Sequence, residues 1–169
     1  NNYALYGQVD YLLHPKLNVI GGLQVNKVED VPGSTVPRAG LVWRPTPRLS
    51  VKALYGQAFR SPSINELTLD HPLLKGNPDL KAEEVGTFDV SISYQGERTQ
   101  ASVSYFLSDQ SQIIYQNQTQ ALPFYDNLGE ARFQGFELEA KSYVGKQMYL
   151  TGSVSYQTSE DAAGVEDIT

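Results

Sequence analysis

The 169-residue sequence contains no cysteine, two histidines, one methionine and one tryptophan. Without cysteine, a disulfide framework and a thiolate metal site are both excluded. No run of eighteen apolar residues occurs, so the sequence predicts no membrane-spanning helix. No basic segment is followed by an apolar stretch, so we expect no signal peptide in this piece.

The charges and histidines exclude further classes of site. Acidic residues outnumber basic ones by 19 to 13, and the basic residues are scattered, which argues against a nucleic-acid partner. His14 lies in a short turn and His71 in a proline-containing loop, and neither has a second ligand three or four residues away. We therefore expect no metal site and no cofactor.

Alternation of apolar and polar residues is the main signal that is present. In the segment at 87–94, Phe88, Val90, Ile92 and Tyr94 alternate with polar side chains, so the two kinds fall on opposite faces of a strand. The same pattern recurs along the chain, and no segment has helical periodicity. It predicts eight strands, at about 2–13, 17–28, 36–44, 49–59, 85–95, 99–115, 130–143 and 148–157.

The connections between these predicted strands alternate in length. Short ones at 14–16, 44–48, 95–99 and 144–147 alternate with longer ones at 29–35, 60–84 and 109–129. An antiparallel transmembrane barrel has short turns on one side of the membrane and long loops on the other. A water-soluble β-sandwich would also explain the alternation, with its apolar face dry, but it gives no reason for the alternating connection lengths.

Aromatic residues are also concentrated towards strand ends near the short turns. They are Tyr11, Trp43, Tyr94, Tyr143, Tyr149 and Tyr156. Such a distribution is typical of the aromatic girdle of a membrane barrel, although tyrosine and tryptophan favour strands in general. Predicted strands of ten residues or more also exceed the usual five or six. Together with the aromatic distribution, this length favours the barrel over the sandwich.

Two stretches at the start and the end of the longest connection resemble a known family. The segments "AFRSPSINEL" at 58–67 and "GNPDLKAEE" at 76–84, followed by a Gly-led strand, are similar to the barrel of TonB-dependent outer-membrane receptors. The segment "YDNLGEARFQGFELEAK" at 125–141 resembles a later strand of that barrel. The matching motif residues are Phe59, Arg60, Pro62, Glu66, Leu67, Gly76, Asn77, Pro78, Leu80 and Glu83. One departure is Ala82, where the family usually has proline.

The resemblance implies an all-β fold, an antiparallel transmembrane segment of about eight long strands from a barrel of about twenty-two. Residues 1–169 would form a partial barrel domain in the bacterial outer membrane, in contact with its lipid, without the plug domain. The implied function is energy-coupled uptake of a scarce nutrient, with a ferric siderophore first and vitamin B12, haem or a glycan as further ligands. The TonB energy-coupling complex would act through the missing plug.

Eight strands could instead close a small self-contained barrel with a structural or adhesive role. Closure would crowd acidic side chains into a narrow interior, where uncompensated charge is costly, so we expect an open sheet. An outer-membrane enzyme ranks third. Glu137 and Glu139 share one strand face and could form a catalytic pair, but a wet face beside Lys141 is the plainer interpretation, and we expect no enzymatic activity.

Candidate ligand-binding residues lie in the predicted external loops, at Arg60, Asn65, Tyr115 and Tyr125. Arg60 could attract an anionic ligand such as a ferric chelate. It could instead hold the long loop through a salt bridge, with Glu66 nearby. The second interpretation is favoured, because the motif that contains Arg60 is shared by family members with different ligands.

Overall fold

The computed structural model describes residues 2–28, 31–119, 121–161 and 166–168. Eight long strands of 12 to 21 residues dominate it, which confirms the predicted strand content. The elements are β1 (Asn2–His14), β2 (Leu17–Val28), β3 (Val31–Thr46), β4 (Leu49–Arg60), α1 (Ile64–Thr68), β5 (Asp70–His71), β6 (Leu74–Lys75), β7 (Glu83–Gln95), β8 (Thr99–Asn117), β9 (Phe124–Val144), β10 (Met148–Asp161) and β11 (Glu166–Ile168).

The long strands form one antiparallel sheet in which chain neighbours are also spatial neighbours. The order is β1-β2-β3-β4-β7-β8-β9-β10-β11, so β1 and β11 lie at opposite ends. Within the described ranges no pairing joins β1 to β10 or β11, and the expected open sheet is confirmed. Antiparallel order also places the turns at 15–16, 47–48, 96–98 and 145–147 along one edge of the sheet, here called the short-turn edge, and the connections at 61–82 and 118–123 along the other, the long-loop edge.

One face of the sheet is apolar and uncovered. Val103 lies opposite Ile92 on one side and Leu138 on the other, and Leu138 lies opposite Val154. These side chains keep 43–58% of their surface exposed. In a sandwich a second layer would cover this face. Among the described residues only Val36, Val42, Leu67, Leu80 and Ala82 are buried hydrophobics, so the sandwich alternative does not hold.

The opposite face is polar along the same strands. Ser93, Ser102, Glu139 and Ser153 lie directly across from one another on β7 to β10, and the adjacent row runs through Ser104 and Glu137. Ser93, Ser102, Glu139 and Ser153 border an open groove of about 680 Å³ towards the short-turn edge. The sheet therefore separates an apolar surface from a hydrophilic one.

The predicted aromatic girdle is only partly correct. Tyr143 and Tyr149 lie near a short turn but on the polar face, where the Lys141 Nζ is 4.9 Å and 4.6 Å from their ring centroids. Tyr143 lies two residues after Lys141 on β9 and so shares its face, and Tyr149 on β10 pairs directly with Tyr143. Tyr156 is on the apolar face but eight residues from the start of β10, where it stacks on Phe136.

Three of the longer connections differ from their predicted extents. The segment predicted as a connection at 29–35 is mostly strand, because β3 starts at Val31, while residues 29–30 lie outside the described residues. The connection predicted at 109–129 shortens to 118–123 because β8 and β9 continue towards each other. The stretch at 60–84 carries α1, β5 and β6, none of which was predicted. No helix in the described part of the chain is long and apolar enough to cross a membrane.

Candidate functional site at the long-loop edge

Residues 61–82 form a folded insertion between β4 and β7. It begins with α1, whose N-cap Ser63 accepts a hydrogen bond at its side chain from the Glu66 backbone N–H (3.2 Å). The Glu66 side chain in turn accepts one from the Ser63 N–H (2.7 Å). This reciprocal pair is a capping box, which satisfies two amides that a helix start leaves without partners. The segment Ser-Ile-Asn-Glu at 63–66 therefore fixes where the helix begins.

The end of α1 is closed by the Gly-Asn pair of the second motif. The Gly76 N–H donates to the Leu69 carbonyl (2.6 Å), and the Asn77 N–H donates to the Glu66 carbonyl (2.8 Å). A Cβ at position 76 would lie 2.8 Å from the backbone of both Leu67 and Thr68. Only glycine allows this approach, so the motif glycine is a packing requirement.

Arg60, at the end of β4, ties the insertion to the sheet. Its guanidinium donates to both carboxylate oxygens of Glu83 at 2.7 Å and 2.6 Å and to both of Glu66 at 3.1 Å and 3.2 Å. Two-pronged pairs of this kind are the strongest charge-assisted hydrogen bonds available to arginine. The salt-bridge interpretation is thus confirmed. Because the two carboxylates carry more charge than the one guanidinium, an anionic ligand would meet a net negative charge at Arg60.

The charge of Glu66 is maintained by these contacts. Partial burial by itself raises its pKa, but the hydrogen bonds from Arg60 and Ser63 outweigh burial, so the pKa of Glu66 lies below its ordinary value. Glu66 therefore remains ionised through the neutral range and into mild acid, which keeps both the helix cap and the pairing with Arg60 intact.

A small apolar core stabilises the insertion against the paired ends of β8 and β9. Leu67 of α1 and Leu80 are buried to 8% and 1% exposure, and Ile114 of β8 and Tyr125 of β9 pack against them. Burial of each leucine contributes on the order of 2 kcal/mol. The insertion is therefore not a free loop but rests on the neighbouring strand pair.

Backbone-directed hydrogen bonds add to that packing. The Asn77 side chain donates to the Tyr125 carbonyl (3.0 Å). The Asn127 side chain accepts from the Lys81 N–H (2.8 Å) and donates to the Lys81 carbonyl (3.1 Å). The Lys75 N–H donates to the Pro123 carbonyl (2.9 Å). Connections far apart in sequence are thus joined at the long-loop edge.

The structure does not gather the four predicted ligand-binding residues into one pocket within its described part. Asn65 is exposed on α1, and Tyr125 belongs to the small core. Tyr115 is 56% exposed, and its ring lies where a Cβ on Gly129 would be. Arg60 borders a shallow cleft of about 190 Å³ that none of the other three lines. A ligand-binding role for the four residues stays a prediction.

Sequence reasoning missed Glu83, Asn77 and Asn127 as residues that organise the site. Glu83 and Asn77 belong to the quoted motif, but their partners lie 31 and 48 residues away. Asn127 stands within "YDNLG" and carries no local signature of its partner Lys81. In the described residues no group of three or more histidine or acidic side chains is arranged to hold a metal ion.

Comparison with known proteins identifies the family to which the chain belongs. Residues 1–168 match the family profile described as TonB dependent receptor-like, beta-barrel. The vitamin B12 transporter BtuB of Photobacterium profundum is 31% identical over 121 residues, which cover 69% of this chain and 19% of that protein. A probable hemoglobin and hemoglobin-haptoglobin-binding protein 1 of Haemophilus influenzae is 30% identical over 122 residues, covering 63% of this chain and 12% of that protein.

Solved structures show the same fold. The siderophore receptor PirA from Pseudomonas aeruginosa superposes with a TM-score of 0.76 at 20% identity, over 95% of this chain and 34% of that one. A ferric enterobactin receptor mutant from the same organism gives a TM-score of 0.81 at 18% identity, over 95% and 26%. The chain thus spans a fifth or less of its curated relatives. It belongs to the TonB-dependent receptor-like β-barrel family.

Proposed function

We propose that this chain is a barrel segment of an outer-membrane receptor that takes up a scarce nutrient, with a ferric siderophore as the ligand class. The observation that carries the proposal is the uncovered apolar face along eight long strands, backed by a polar face. Strands with this pattern are stable where lipid meets the apolar side and a hydrated lumen meets the polar side. The part of the barrel described here would then supply wall and external loops.

Uptake is proposed to be energy-coupled, through a plug domain and an inner-membrane TonB complex that lie outside residues 1–169. The proposed role is transport, with no chemical transformation of the ligand. The names of two relatives mention vitamin B12 and hemoglobin, so vitamin B12 and haem are the alternative cargoes that the external loops of this chain would have to distinguish from a ferric chelate.

Uptake by whole cells tests the proposal. The full-length protein that carries this segment would be expressed in cells lacking their own receptors and supplied with a radiolabelled ferric siderophore, haem or cyanocobalamin. We expect saturable accumulation of the ferric siderophore that disappears when the TonB gene is deleted. Accumulation of haem or cyanocobalamin alone would replace the ligand class, and accumulation of none would refute the transport role.

A further inference from the structure

A bulge in β8 lies at Gln112, three residues before Tyr115. Pairing between β8 and β9 shifts between Gln110 and Ile113, and Gln112 has a left-handed backbone with φ of 57°. A non-glycine residue in that conformation costs on the order of 1 kcal/mol and persists only where neighbours impose it. The bulge therefore needs an external cause.

Two side chains hold the bulge, one on each side. The Asn127 Nδ2 donates to the Gln112 carbonyl at 2.6 Å, and Glu83 Oε1 accepts from the Ile114 N–H at 2.8 Å. Both groups are linked to the insertion as well. Asn127 bonds the backbone of Lys81, and Glu83 pairs with Arg60, which also binds Glu66 of α1. The insertion thus reaches the bulge by two separate routes.

The bulge sets the direction of Tyr115. Ile113 lies opposite Gly129, and a Cβ added to Gly129 would be 2.7 Å from the Ile113 Cβ and would overlap the Tyr115 ring. Gly129 has the strand parity of Glu137 and Glu139, so the ring lies on the polar face. More than half of the Tyr115 surface is exposed, and Gly129 leaves space for the ring against the strand.

We infer that Glu83 and Asn127 are positioning residues for Tyr115, which they hold over Gly129 as an aromatic contact for ligand on the polar face. The Arg60–Glu83 pair and the insertion would then act on the ligand indirectly, by fixing the β8 bulge. The ligand contact rests on the proposed transport function, whereas the positioning of the bulge does not.

Hydrogen exchange of the full-length protein in detergent micelles tests the positioning without any ligand. Asn127→Ala and Glu83→Ala should each raise exchange of the 111–116 amides by about tenfold, the effect of one lost hydrogen bond. Glu83→Gln keeps an acceptor for the Ile114 N–H and should stay near wild type. Exchange at 100–106, in the first half of β8, reports whether each variant has folded.

Asn117→Ala is the matched control, because the hydrogen bonds of the Asn117 side chain in the described structure go to Asp126 of β9 and to Thr119, and both partners lie outside the insertion. Its effect should stay near residues 117–126. Unchanged exchange at 111–116 in Asn127→Ala and Glu83→Ala, or an equal rise in Asn117→Ala, would overturn the positioning.

The ligand contact is tested by the half-saturation concentration for whichever of the three uptake probes the wild type accumulates. Tyr115→Ala should raise it on the order of fivefold, as expected for a lost aromatic contact. Asn127→Ala should raise it similarly, and the double variant no further, because both act through one ring. Additive effects, or none for Tyr115→Ala, would overturn the ligand contact. Absence of uptake would instead refute the transport function and leave the exchange result standing.

Discussion

An arginine placed on each face of β8 tests the assignment of the apolar face to lipid. Val103 is on the apolar face, about midway between Arg98 and Asp109, the nearest charged positions along the strand. At roughly 3.3 Å per residue these two positions are about 36 Å apart along the strand. A strand tilt of about 40° reduces this to about 28 Å along the membrane normal, close to the hydrocarbon thickness. Val103 therefore lies near mid-membrane.

Val103→Arg should lower the free energy of unfolding by about 2–4 kcal/mol, the cost of a cation on the lipid face at that depth. Ser104→Arg, one residue along, is the matched control, because it points to the polar face opposite Glu137 and Ser91 and gains an opposite charge. Its cost should be below about 1 kcal/mol. Urea titration of the full-length protein folded into lipid vesicles measures both, and equal costs for the two variants would refute the assignment of faces.

Two further predictions concern the edges of the sheet. In intact cells, Glu97→Cys and Lys146→Cys at the short turns should resist a membrane-impermeant thiol reagent, whereas Ser63→Cys and Gln118→Cys should react; the reverse pattern would invert the orientation. These short-turn positions avoid Gly145, whose φ of 68° disfavours other residues. Acid should loosen the insertion, because the pKa of Glu66 is lower in the folded protein than its unfolded value near 4.5. Ionised Glu66 therefore stabilises the fold above that value, and this stabilisation is lost as the pH falls through the folded pKa. Limited proteolysis within 61–82 should therefore accelerate below about pH 4.5, and less so in Glu66→Gln; equal acceleration in both would assign the effect to other carboxylates.

The strands could be predicted from sequence because one physical requirement, an apolar face and a polar face, applies to every residue in turn. The predicted bounds of β4 at 49–59 and β8 at 99–115 are each within two residues of the observed ends. β3 and β9 extend further because their outer ends continue by pairing with neighbours, such as Asn117 with Phe124, after the apolar alternation has stopped. Pairing is a long-range property that a local pattern does not contain.

The misassigned aromatics show a different limit. Nearness to strand ends predicts girdle positions for Tyr143 and Tyr149, but Tyr143 shares the strand face of Lys141, and Tyr149 pairs with Tyr143. The fold of the insertion could not be predicted from local sequence for a third reason. Its core joins Leu67 and Leu80 to Ile114 and Tyr125, which are 30 or more residues away in the chain. Its one local signal was the capping box at Ser63 and Glu66, which predicts a helix start.

The motif Gly76 offers the strictest test of whether the insertion is one packed unit. In Gly76→Ala the new Cβ would lie 2.8 Å from backbone atoms of Leu67 and Thr68, which cannot rotate away as a side chain does. Relief requires α1 to separate from the chain at 76–77, with loss of the 2.6 Å bond to Leu69 and the 2.8 Å bond to Glu66. We expect a local cost of about 1–3 kcal/mol, typical of overpacking, seen as faster hydrogen exchange across 63–82.

Gly56→Ala in β4 is the matched control, because nothing lies within 4 Å of a Cβ at position 56. It should leave exchange in the insertion unchanged. If the insertion is one packed unit, Gly76→Ala should also raise exchange at Ile114 and near Asn127. Ile114 packs against Leu67 and Leu80, and Asn127 bonds Lys81, so both residues contact the part of the chain that would move. Faster exchange confined to α1 would mean that the helix opens by itself. The contacts of Asn77, Glu83 and Asn127 with the ends of β8 and β9 would then not depend on the helix.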